Sequence, residues 1–209
     1  MNRCIIICGY LNGTIRQAVS LQPNDYIICA DGGLDLAAAE HIRPHLYIGD
    51  GDSSRIDFDG PCIHLPIRKD DTDLMAAIKY AADHDMNQLC IVGGLGGRFD
   101  HSIASIQSLA YALEHGMDAR LVDAETTVCL CRDRITLPRR TGFTLSVFAY
   151  GGPCTGVDIS GTSYLLQNAT LAPDFPLGVS NAIVDEKAIV SVKTGTLLVI
   201  CSKDTQKHT

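Results

Sequence analysis

The chain changes its grammar near residue 131, and any fold it adopts must accommodate that change. Before it, short β-branched runs alternate with helical patterns, the runs being CIIIC (4–8), YIICA (26–30), HLYIG (45–49), LCIVG (89–93), ARLVD (119–123) and VCLC (128–131). Continuous apolar runs of this length suit strands covered on both faces, as in a parallel sheet. Between them, DLMAAIKYAADHD (73–85) and HSIASIQSLAYALEHG (101–116) read as helices, the second closed by Gly116. Beyond residue 131 the helical periodicity stops. TLSVFAY, GVDISG, SYLLQNATL, NAIVD, KAIVSVKTG and TLLVIC read there as short strands punctuated by Gly and Pro. The prediction is an α/β domain of repeated β-α-β units over 1–131 and an all-β domain over 132–209, with RDRITLPRRTG (132–142) as the linker.

With 209 residues, 46% of them hydrophobic, the chain has enough apolar surface for a packed core without disulfide or metal staples. A net charge of −7 disfavours nucleic acid and anionic membranes as partners, because both require clustered Lys and Arg. A phosphate-bearing ligand must then be held by local groups or by a cation. Nine cysteines, mostly inside apolar runs and without CxxC or zinc-type Cys/His spacing, read as buried reduced thiols. No stretch is apolar for the ~18 residues a bilayer span needs, and a cytoplasmic location is expected.

Parallel α/β sheets bind ligands beyond the carboxyl ends of their strands, and here three of those ends run into loops that carry a carboxylate. YIICA runs into Asp31-Gly32-Gly33, HLYIG into Asp50-Gly51-Asp52-Ser53, and LCIVG into Gly94-Leu95-Gly96-Gly97-Arg98-Phe99-Asp100-His101. Arg68-Lys69-Asp70-Asp71-Thr72-Asp73 precedes the first long helix. Taken singly, each piece has a plain structural reading: an Asp before a helix is commonly a cap, DGG a turn, His101 a helix-start residue. The glycine loop matches neither the dinucleotide fingerprint nor the P-loop. Jointly they point elsewhere. If Asp50, Asp52, Asp73 and Asp100 converge, each close pair repels by about 4 kcal/mol at 4 Å with an effective dielectric near 20. Such a set calls for a cation, and all-oxygen ligation shared with phosphates is what Mg²⁺ accepts. Arg68, Lys69, Arg98 and the backbone N–H groups of the glycine loop are candidates for the remaining phosphate oxygens.

In order and separation, these motifs resemble those of the thiamine pyrophosphokinase family: a DGG turn, GDxDS, KxDTD, GGRxDH and, in the β-rich part, an SN pair. Here they are Asp31-Gly32-Gly33, Gly49-Asp50-Gly51-Asp52-Ser53, Lys69-Asp70-Asp71-Thr72-Asp73, Gly96-Gly97-Arg98-Phe99-Asp100-His101 and Ser180-Asn181. The resemblance implies a Rossmann-like parallel-sheet domain that binds Mg-ATP, a C-terminal β-sandwich, and a homodimer with thiamine sites between subunits. By position it implies that Asp50, Asp52, Asp73 and Asp100 hold Mg²⁺ and orient the triphosphate. Asp31, Gly32, Gly33, Lys69, Thr72, Arg98 and His101 would complete the ATP site, and Ser180 and Asn181 would bind the aminopyrimidine of thiamine. Two positions depart from the family pattern. Gly51 stands where the family commonly has an aromatic residue, and the chain has no Trp to stack on thiamine, leaving Tyr164 and Phe175 as candidates.

The implied reaction moves a pyrophosphoryl group from ATP to the hydroxyl of thiamine, giving thiamine diphosphate and AMP. Loose transition states of this kind depend on positioning and charge neutralisation more than on a strong base. Two alternatives stay open on the sequence: a pyrophosphokinase of the same architecture acting on another hydroxymethyl heterocycle such as a pterin, and a non-catalytic nucleotide or thiamine sensor.

Overall fold

The computed structural model describes residues 3–51, 56, 58–66 and 70–204. The chain forms two compact units, Met1–Glu125 and Thr126–Thr209.

The first unit holds β1 (Arg3–Ile7), α1 (Ile15–Ala18), β2 (Tyr26–Ala30), α2 (Gly33–Ala39), β3 (Leu46–Gly49), β4 (Cys62–His64), α3 (Asp73–Asp83), β5 (Gln88–Val92), α4 (Phe99–Glu114) and β6 (Asp118–Val122). Its strands pair in the order β4-β3-β2-β1-β5-β6, all parallel. The apolar runs become these strands because both faces are covered: Ile5, Ile6 and Ile7 of β1 are each 0% exposed. In α3, buried Leu74, Ala77, Ile78 and Ala81 recur at helical spacing, and the Thr72 hydroxyl caps the helix by accepting the Met75 N–H at 3.1 Å. In α4 the buried Ser105 and Ser108 hydroxyls donate to the carbonyls four residues back. Gly116 then adopts a left-handed φ of 73° just past the helix end, as its position in the sequence predicts. Three elements give no periodic signal. These are the single-turn α1 with its Thr14–Gln17 capping box, α2, and the three-residue edge strand β4.

The second unit is entirely β: β7 (Thr126–Cys131), β8 (Arg134–Pro138), β9 (Phe143–Ser160), β10 (Leu166–Leu171), β11 (Gly178–Ala182), β12 (Lys187–Ser191) and β13 (Thr194–Lys203). The long β9 organises it, pairing antiparallel with β13 and β11 mainly through its first half and with β10 and β12 through its second. The segments TLSVFAY and GVDISG are thus one continuous strand. Two further expectations are corrected. VCLC pairs antiparallel with β13, so the units divide between Glu125 and Thr126 rather than after Cys131. The expected linker contains β8, which pairs residue by residue with β12. Leu145, Val157, Val190 and Leu197 are at the centre of this unit's core.

The nine cysteines form no disulfide, and Cys62 is the exposed one. Among the described residues, no helix is long and apolar enough to cross a membrane.

Candidate active site

The first unit's strand order reverses at β1. The chain leaves β1 toward β2, β3 and β4, then returns on the other side with β5 and β6. Such a switch point opens a crevice beyond the carboxyl ends of the two central strands, and a cavity of about 630 Å³ is found there. Its walls come from the segments after β1, β2 and β5 and from the starts of α3 and α4.

Local backbone demands explain the residue types. Asp31 adopts φ 48°, turning the chain directly from β2 into α2, while its N–H still donates to the Ile48 carbonyl at 2.9 Å. Gly33 is required next, since any Cβ would collide with the Ile7 carbonyl oxygen. After β5, Gly93, Gly94, Gly96 and Gly97 all have positive φ. The Gly94 N–H donates to the Tyr10 carbonyl at 2.8 Å. A Cβ at Gly96 or Gly97 would stand 2.8 or 2.9 Å from the Tyr10 ring, so this loop lies flat beneath that aromatic. Tyr10 belongs to no motif, and nothing in the sequence around it singles it out.

At the start of α4, Arg98 and Asp100 form a two-pronged pair, Nη2–Oδ2 at 2.6 Å and Nε–Oδ1 at 3.2 Å. Hydrogen bonding from Arg98, the main cause, and the nearby positive charge hold the Asp100 carboxyl below its ordinary range. Asp100 also accepts the His101 N–H at 3.1 Å, the placement that favours an acidic residue in a first helical turn. Asp71 turns away into an ion pair with Lys79 at 2.6 Å.

The charges of three carboxylates also reach one buried phenol. Burial, and then the charges of Asp31, Asp73 and Asp50, push the Tyr47 hydroxyl up to about 12. Burial and the charge of Asp73 raise the Cys8 thiol likewise to about 12, so it stays protonated and is no nucleophile. Asp31, Gly32, Thr72, Asp73, Arg98 and His101 line the cavity, Gly33 packs against the Ile7 carbonyl, and Asp50, directly after β3, acts on the Tyr47 hydroxyl through its charge. Asp52 and Lys69, with Ser53 and Arg68, lie outside the described residues. Among the described residues, no three His, Cys, Asp or Glu side chains are grouped to hold a metal ion by themselves. Mg²⁺ does not require such a cage: one or two carboxylates, with phosphate and water oxygens, satisfy it. The hard oxygens of Asp50 and Asp73 fit that description, whereas Asp100 would have to share its carboxylate with Arg98.

In the second unit, Ser180 is exposed at φ 57° and its N–H donates to the Ser146 hydroxyl at 3.1 Å. Asn181 is buried and committed to backbone. Its Oδ1 accepts the N–H groups of Tyr164 at 3.0 Å and Ala182 at 2.9 Å, and its Nδ2 donates to the Tyr164 carbonyl at 2.6 Å. The Tyr164 ring is left 74% exposed.

Fold and cavity define a parallel α/β protein whose switch-point crevice, floored by glycines and edged with carboxylates and an arginine, suits a metal-bound polyphosphate. The family model for the thiamin pyrophosphokinase catalytic domain matches residues 18–121, and that for the thiamin pyrophosphokinase vitamin B1 binding domain matches residues 133–199. The chain belongs to the thiamine pyrophosphokinase family. The thiamine pyrophosphokinase of Bacillus subtilis (strain 168) is 26% identical over 173 residues, 78% of this chain and 80% of that protein. Thiamin pyrophosphokinase 1 of Caenorhabditis elegans is 27% identical over 148 residues; the match spans 63% of this chain and 57% of that relative. The solved thiamine pyrophosphokinase structure from Bacillus subtilis superposes with a TM-score of 0.84 at 20% identity, covering 98% of this chain and 100% of that one, a likeness of fold.

Proposed function

We propose that this chain transfers the pyrophosphoryl group of ATP to the hydroxyl of thiamine, releasing thiamine diphosphate and AMP. The observation that carries the reading is the switch-point cavity itself, which Asp31, Asp73, Arg98, His101 and the glycine loop line together. Family membership supplies the substrate class. In this reading the first unit is a Rossmann-like domain and the second a β-sandwich, in a cytoplasmic homodimer.

Asp50, Asp52 and Asp73, with Asp100 sharing its carboxylate with Arg98, would hold Mg²⁺. When bound, the ion neutralises charge on the phosphate oxygens of the transferring group. Asp31 and Thr72 order the mouth of the site. Arg98, Lys69 and the N–H groups at the start of α4 receive phosphate oxygens, Arg98 through the guanidinium N–H groups that Asp100 does not engage. His101, at the cavity wall, completes the nucleotide side. The thiamine oxygen attacks the β-phosphorus; the bond from that phosphorus to the oxygen bridging it to the α-phosphate breaks, and AMP leaves with that electron pair. A loose transition state asks little of a base, so the hydroxyl proton passes late to a carboxylate at the site. Ser180, through its exposed hydroxyl, contacts the aminopyrimidine, and Asn181 acts by holding the Tyr164 turn, whose exposed ring is the candidate stacking surface.

Incubation of the full chain with ATP, Mg²⁺ and thiamine, followed by phosphorus NMR, tests this. AMP and thiamine diphosphate in equal amounts are expected. ADP would mean ordinary kinase transfer, a pterin alcohol consumed in preference to thiamine would reassign the acceptor, and unchanged ATP would leave a binding protein.

A further inference from the structure

Tyr47 belongs to none of the motifs. It lies on β3 two residues before Gly49, so the two face the same side of the strand. Its ring is 4% exposed and packs in the cluster that holds Ile5, Ile7 and Leu34. The phenol reaches along β3 to the carboxyl edge, where its oxygen occupies the space a side chain at position 49 would take: a Cβ there would stand 2.6 Å from Oη and 3.1 Å from the Asp31 Cα. Phenylalanine would fill the same apolar volume without burying a polar atom. The hydroxyl is nonetheless present and buried; the Gly51 N–H is directed at its oxygen, and among the described residues no acceptor takes its proton. The Asp31 backbone borders the same gap, and the charges of Asp31, Asp73 and Asp50 all act on the hydroxyl. A protonated phenol among carboxylates can only be a donor to them.

We propose that Tyr47 is a positioning residue of the phosphate site, its O–H donating to the Asp31 carboxylate when a metal–nucleotide is bound and so fixing the orientation of the acidic set. The proposal rests on the reading of the site given above. It does not depend on Asp31 lacking other contacts: an anionic carboxylate accepts several hydrogen bonds at once. It places a support for Asp31 within β3, next to a Gly51 whose own side is open, with nothing within 4 Å of a Cβ placed there.

The test compares full-length wild type with Tyr47→Phe in three measurements: Mn²⁺ binding with a non-hydrolysable ATP analogue, followed by electron paramagnetic resonance; the Mg²⁺ dependence of AMP release; and Tm without ligand. The variant is expected to bind Mn²⁺–nucleotide about tenfold more weakly, the size of one hydrogen bond to a charged acceptor. Its kcat should fall with the thiamine KM unchanged, and its ligand-free Tm should equal or exceed that of wild type. Equal Mn²⁺ affinity in the two proteins overturns the proposal, as does weaker binding accompanied by a lowered ligand-free Tm, which would mark a packing role. A wild type that binds Mn²⁺–nucleotide but releases no AMP refutes the transfer reaction alone, and the affinity comparison still decides Tyr47. A wild type that binds no Mn²⁺–nucleotide refutes both.

Discussion

Gly49→Ala probes the junction between β3 and the acidic edge. The added methyl would stand 2.6 Å from the Tyr47 Oη, 2.9 Å from its Cζ and 3.1 Å from the Asp31 Cα, against an ordinary separation of about 3.5–4 Å. Neither neighbour can withdraw freely, because the ring is 4% exposed and the Asp31 Cα is backbone. Overpacking of this kind costs about 1–3 kcal/mol. Position 49 is in ordinary strand conformation, so alanine also narrows the unfolded ensemble and returns about 0.4–1 kcal/mol. A net loss of about 1–2 kcal/mol follows. Gly51→Ala should cost a similar ~1–2 kcal/mol for a different reason, its φ of 82° with no atom within 4 Å of the new methyl. The two are separated by repeating each in a Tyr47→Phe background. Removing Oη relieves the nearest contact at position 49 while Cζ remains, so the Gly49 pair should couple by about 0.5–1 kcal/mol and the Gly51 pair should be additive. Urea unfolding followed by circular dichroism, with unchanged m-values, gives both numbers. A Gly49–Tyr47 coupling below about 0.3 kcal/mol would refute the placement of the hydroxyl beneath that glycine.

Removing a carboxylate from the acidic set, by Asp50→Asn or Asp73→Asn, should lower kcat at least ~100-fold with Tm preserved, as for loss of an electrostatic anchor; normal turnover in both variants excludes the metal–phosphate role. Asn181→Ala should cost about 1–3 kcal/mol in urea unfolding because it strands the Tyr164 backbone, whereas Ser180→Ala should leave stability intact and raise the thiamine KM; the reverse pattern would exchange their roles. The Asp25 side chain is 2% exposed and holds Arg3 through Oδ1 at 2.8 Å and Oδ2 at 2.7 Å. Burial works to raise its carboxyl, but the Arg3 hydrogen bonds, the Gln22 N–H and the Arg3 charge outweigh it and leave the group below 3.8. A depressed folded value means that the stabilisation is complete above the unfolded pKa and is lost as pH falls through the folded one. Asp25→Ala should therefore cost about 2–3 kcal/mol at neutral pH, and the difference from wild type should shrink only below about pH 4; a gap that persists at the acid end would show that the pair is not its source.

Legibility followed the strength of the local signal. The strands of the first unit were readable because burial on both faces leaves an unbroken apolar run, and α3 and α4 because their buried positions repeat at helical spacing. One turn of α1 and three residues of β4 are too short for any period to register. In the second unit the errors are of continuity. Gly151 and Gly152 split β9 into two apparent strands, and a linker rich in Arg hid β8, whose partner β12 lies some fifty residues further on. Strand pairing of that range has no local signature.

The site divides in the same way. Asp31, Thr72, Asp73, Arg98 and His101 follow strand ends or begin helices, and that position alone sends them to the crevice in a parallel sheet. Asn181 shows the limit of residue type, because an amide that could hydrogen-bond a ligand is instead spent on the Tyr164 backbone, and nothing local in the sequence distinguishes the two uses. Tyr47 shows the converse. Within LYIG it reads as one more apolar strand residue, and by burial it is one. What its side chain adds is a single oxygen, carried two residues along the strand into the gap left by Gly49. A strand that alternates inward and outward places i and i+2 on one face, so a long polar-tipped side chain followed by glycine at that spacing delivers its tip to the strand end. When that end also carries a carboxylate, as Asp50 does here, Tyr-x-Gly-Asp brings a phenol oxygen to an acidic edge, an arrangement that shows only once the strand and its burial are known.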